Sequence, residues 1–123
     1  MTNSELPVAD QNFSPEELLE HLGHIIHNAE PVEVGGPLYA RKVNFLRLAK
    51  EWIKKNYNEI RETICQSDYR SYMNHPVNDL ILYVIGLLEP VFSGSIAIAL
   101  AYYLCKVGLN SICEKTVDEF FQS

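Results

Sequence analysis

A chain of 123 residues, 47% hydrophobic and 21% charged, is long enough to bury one proper core and too short for much more. That composition excludes global disorder, and a net charge of −6 without exposed, interleaved aromatics argues against a nucleic-acid binder. Three cysteines (Cys65, Cys105 and Cys113) without a CxxC, after an opening that lacks a basic end and an apolar run, predict buried thiols in a reducing, cytoplasmic setting.

Residues 1–13 read as a loose arm, and residues 14–123 as a single helical domain. Ser14-Pro15-Glu16-Glu17 is a helix start: the serine caps exposed amides, proline suits the first helical position, and Glu17 reaches back. Leu18, Leu19, Leu22, Ile25, Ile26 and Ala29 then share one face, which predicts a helix over 15–29. Glu17, Glu20, His21, His24 and His27 fall opposite that face. Imidazole and carboxylate are zinc ligands, yet neither HExxH nor ExxH is present, so a solvated polar face is expected there.

Pro31 to Pro37 reads as a connector broken by Gly35-Gly36. Leu38, Phe45, Leu46, Ala49, Trp52, Ile53, Tyr57, Ile60 and Ile64 then form a broad stripe. Asn56 and Asn58 sit mid-pattern, so the segment reads as one long helix or as two with a bend near residue 57, and the boundaries taken are 38–56 and 58–66. Gln66 to Asn74 is polar and reads as a turn or short helix. Further helices are expected over 77–89, stopped by Pro90, over 96–107, ended by Gly108, and over 110–121, with Thr116-x-x-Glu119 as a second start inside the last. The fold class is therefore all-α, a compact bundle of about six helices.

Charge is segregated along the chain. Residues 1–37 hold seven acids and no Lys or Arg, whereas Arg41, Lys42, Arg47, Lys50, Lys54 and Lys55 face only Glu51 within 41–55. Such a stripe either opposes the acidic first helix or meets an acidic partner. Residues 77–107 form an apolar helical hairpin. Ser93, Ala97, Ala101 and Cys105 recur every four residues along it, a ladder of small groups that admits a close neighbour. Glu89-Pro90 and Ser93-Gly94-Ser95 cut the hairpin into pieces too short to span a bilayer.

No nucleophile elbow or phosphate-binding glycine pattern is present, and no cofactor is expected. The function expected is a non-enzymatic protein–protein interaction module: an adaptor, regulatory subunit or small assembly domain, with homo-oligomer formation an option. Its candidate interaction residues are Arg41, Lys42, Arg47, Lys50, Lys54, Lys55, Trp52, Ala97, Ala101, Phe120 and Phe121. The alternatives are membrane contact through residues 77–107 and a metal-binding enzyme on the His21/His24/His27 face.

Overall fold

The computed structural model describes residues 13–29 and 44–121. Its first helix, α1 (Pro15–Ala29), starts where the capping box places it. The Ser14 hydroxyl accepts the Glu17 amide at 3.1 Å, and the Glu17 carboxylate accepts the Ser14 amide at 2.8 Å. The second, α2 (Phe45–Cys65), is capped by Asn44, whose side chain accepts the Arg47 amide at 3.0 Å. Residues 38–43, where the helix was expected to begin, lie outside the described residues, as do Arg41, Lys42 and the connector 31–37.

The break expected near residue 57 does not occur. Helix α2 runs through it, because Asn56 turns its side-chain amide onto the Trp52 carbonyl at 2.8 Å, one turn back. Ala49, Ile53, Tyr57, Ile60 and Ile64 keep a helical period across the same point, and all are buried. Core burial at about 1.5–3 kcal/mol per large apolar side chain outweighs the few tenths by which asparagine disfavours a helix.

A 3-10 turn (Tyr69–Tyr72) links α2 to α3 (Val77–Leu88). Helix α4 (Gly94–Val107) starts two residues earlier than its apolar run and ends on Gly108, at φ 102°. The single helix expected over 110–121 is two: α5 (Leu109–Glu114) and α6 (Val117–Phe121). Thr116 divides them. Its hydroxyl accepts the Glu119 amide at 3.2 Å, and its own amide donates to the Glu119 carboxylate at 3.0 Å.

Helix α1 packs on α2 and α4, α3 packs on α4, and α5 bridges α2 and α4. No strand is present among the described residues. Helix α4 is the central element: Ile96, Ala97, Ala99, Leu100, Ala101, Tyr102, Tyr103 and Leu104 are all buried. The Ala97 and Ala101 rungs of the small-residue ladder therefore serve internal packing, whereas Ser93 is exposed and Cys105 half-buried. Among the described residues, no helix is long and apolar enough to cross a membrane.

A close helix approach lies elsewhere, at Gly23 in α1. A Cβ there would fall on the Phe45 carbonyl oxygen, with the carbonyl carbon at 2.7 Å. Only glycine lets the start of α2 come so near.

The cysteines correct the sequence reading. Cys65, at the end of α2, and Cys113, in α5, form a disulfide with Cα atoms 5.6 Å apart. Only Cys105 is a free thiol. Spacing along the chain could not show this, since 48 residues separate the pair.

Candidate interaction surface

At about 100° per residue, Arg47, Lys50, Lys54 and Arg61 fall within about 60° of arc on α2. That face stands beside the buried stripe and reaches solvent, with Arg47, Lys54 and Arg61 exposed and Lys50 half-buried. Lys55 lies about 100° further round the helix and is not part of it. Sequence reading misses Arg61 because the basic run along the chain ends at Lys55. The helical period adds Arg61 two turns beyond Lys54.

The face is not neutralised by α1. Among the described residues the one ion pair is Arg47–Glu51, 3.1 Å apart, within α2 and well exposed. An exposed pair of this kind contributes only about 0.3–0.5 kcal/mol. Glu16 and Glu20 of α1 are exposed and make no ion pair among the described residues. The Arg61 guanidinium donates to the Cys113 carbonyl at 2.9 Å, which ties the basic face to α5.

The fold also brings the C-terminal aromatics to this face. The Lys54 ammonium lies 6.0 Å from the centre of the Phe121 ring, the outer limit of a cation–π contact. Phe121 meets Phe120 edge-on at 5.0 Å. Phe120 reaches inward to Tyr57 at 5.7 Å and Tyr103 at 6.3 Å. No residue of α6 is fully buried, so Phe120 is its main anchor and Phe121 borders the basic face. Tyr57 in turn fixes the α5–α6 link. Its hydroxyl donates to the Lys115 carbonyl at 2.8 Å and lies 3.3 Å from the Ile112 carbonyl.

The other candidates lie apart from this face. Trp52 is half-buried and meets Phe92 edge-on at 5.2 Å, at the corner between α3 and α4. Ala97 and Ala101 are both fully buried and offer no surface in this chain.

The histidine face of α1 is not simply solvated. His24 stacks on Phe45 with ring centres 3.7 Å apart, and His27 meets the same ring edge-on at 5.6 Å. Glu17 is engaged in its capping box, and His21 borders a cleft against α4. Among the described residues no three His, Cys, Asp or Glu side chains converge on a metal-sized site.

Burial sets the titration of three interior groups. It pushes the Cys105 thiol up to about 12 and the Tyr103 phenol up to about 12. Tyr57 is also raised, by burial first; the nearby Arg61 charge opposes the shift and Glu119 adds to it. Each group is held in its neutral form at physiological pH. With Cys65 and Cys113 bonded to each other, no cysteine of the chain presents a thiolate there.

No protein-family model matches this chain, and no curated protein or solved structure matches it either.

Proposed function

We propose that this chain is a non-enzymatic protein–protein interaction module that offers the α2 face of Arg47, Lys50 and Lys54, bordered by Phe121, to an acidic partner. One observation carries the reading. Lys50 and Lys54 make no ion pair among the described residues, although the chain carries an excess of carboxylates. A cationic face that pairs with no carboxylate among the described residues can take another molecule's acids, and an adjoining aromatic supplies apolar contact. The protonated, half-buried Cys105 thiol supports a non-catalytic role for that group. The disulfide favours an oxidising compartment over the cytoplasm.

The test is fluorescence anisotropy with a labelled peptide of alternating Glu and Asp, read across a salt series. Binding is expected at low salt and should weaken steeply as salt rises. Lys50→Glu/Lys54→Glu should abolish it, whereas Lys55→Glu, on another side of α2, should not. Light scattering on the same samples shows whether the acidic partner is a second copy. Equal peptide binding by wild type and the double reversal would sink the proposal.

A further inference from the structure

Two patches of opposite charge adjoin on the α1–α2 pair. Glu16 and Glu20, exposed on α1, line a depression together with Asn44 and Leu46 at the start of α2. Leu46 and Lys50 stand one turn apart on α2, so the basic face begins where that depression ends. Helix α1 carries no Lys or Arg. None of Glu16, Glu20, Lys50 and Lys54 makes an ion pair among the described residues. Glu17 also lines the depression, but its carboxylate is held by the Ser14 amide.

We infer that the acidic partner of the basic α2 face is a second copy of this chain, docked about a twofold axis so that Glu16 and Glu20 of each copy meet Lys50 and Lys54 of the other. The inference rests on the acidic-partner reading of that face and names the partner. Charge complementarity carries it. An acidic and a basic patch side by side on one surface are self-complementary. A twofold rotation lays each patch on its opposite, and the interface closes at two copies. Charge also selects the orientation. A net charge of −6 repels two copies in general, and the approach that offsets this repulsion sets basic face against acidic patch. Half-buried Leu46 lies between the two patches and supplies apolar contact near the axis.

The test is sedimentation velocity with the full chain over a range of concentration and salt. At low salt the mass should rise from the 14.0 kDa monomer to that of a dimer and stop there; at high salt it should return to the monomer. Lys50→Glu/Lys54→Glu and Glu16→Lys/Glu20→Lys should each be monomeric, because each sets like charges together. An equimolar mixture of the two variants should recover the dimer mass, since opposite charges then meet again. Both variants stay net negative, so that recovery is not a general attraction between them. None of the four side chains belongs to the core, and circular dichroism would verify each fold. Should Glu16→Lys/Glu20→Lys unfold, Glu20→Lys alone, beyond the first turn of α1, should still raise the dimer dissociation constant at least about tenfold. The inference is overturned by a wild type that stays monomeric, by a dimer that survives either reversal, by a mixture that fails to recover it, or by mass that keeps rising past the dimer. A monomeric wild type that binds the Glu/Asp peptide overturns this inference alone; absence of peptide binding as well overturns the acidic-partner reading with it.

Discussion

Removing the Cys65–Cys113 disulfide tests how the two halves of this bundle are held together. The bridge closes a loop of 48 residues between α2 and α5. In the chain-entropy treatment, freeing a loop of that length returns roughly 14 cal/mol/K to the unfolded chain, or about 4 kcal/mol at 25 °C. The native architecture should survive the loss, because other ties cross the same seam. Arg61 holds the Cys113 carbonyl, Tyr57 holds the Lys115 carbonyl, and Tyr69 donates to Asn110 at 2.7 Å. Leu109 and Ile112 of α5 are also buried in the core.

The effect should therefore fall on the unfolded state. The double variant Cys65→Ala/Cys113→Ala should keep its helical far-ultraviolet spectrum and unfold in urea with about 4 kcal/mol less stability. Its Tm should drop by about 15 °C, given an unfolding entropy of about 2.1 cal/mol/K per residue. Its denaturant slope should rise, since an unlinked chain exposes more surface on unfolding. Reductant should bring the wild type to the variant's stability and leave the variant unmoved. A loss below about 1 kcal/mol, or an equal response of both proteins to reductant, would refute the loop-closure reasoning.

Gly23→Ala should destabilise by about 1–3 kcal/mol in urea melts despite alanine's better helix propensity, since its Cβ meets the backbone of Phe45 rather than a movable side chain. Stability should also decline on the alkaline side. Unfolded Cys105 and Tyr103 lose their protons near pH 9 and 10, while the folded groups hold theirs to about 12. The unfolded state then binds fewer protons, so their contribution is complete below pH 9 and is lost as pH rises toward 12. The slope is at most about 1.4 kcal/mol per pH unit per group, less after solvent screening, and urea melts of Cys105→Ala should show a flatter curve from pH 9 to 10. Thr116→Ala removes one half of the α6 capping box and should cost about 1 kcal/mol, read as faster amide exchange across 117–121 with little change in α2.

The sequence alone determined the all-α class and most helix ends. Ser14 with Glu17, Thr116 with Glu119, Pro90 and Gly108 act on amides and carbonyls within four residues of themselves, so their effect can be read without knowing what packs where. The apolar period likewise marked Leu18, Leu22, Ile53 and Ile60 as core. Single polar residues misled where burial competed with them. Asn56 looked like a break, yet the side-chain bond to Trp52 and the buried stripe on either side kept α2 whole.

Only the tertiary structure decided what meets across the bundle. It paired Cys65 with Cys113, set Phe45 against Gly23, His24 and His27, and brought Phe121 to Lys54. It turned the small-residue ladder of Ala97 and Ala101 into interior packing, and opened a cleft between α1 and α4 beside His21. The reason is geometric. A helix fixes the directions of its own side chains through local hydrogen bonds, but which of them touch depends on how two helices cross. That crossing is set by close-packed contacts between residues far apart in the chain.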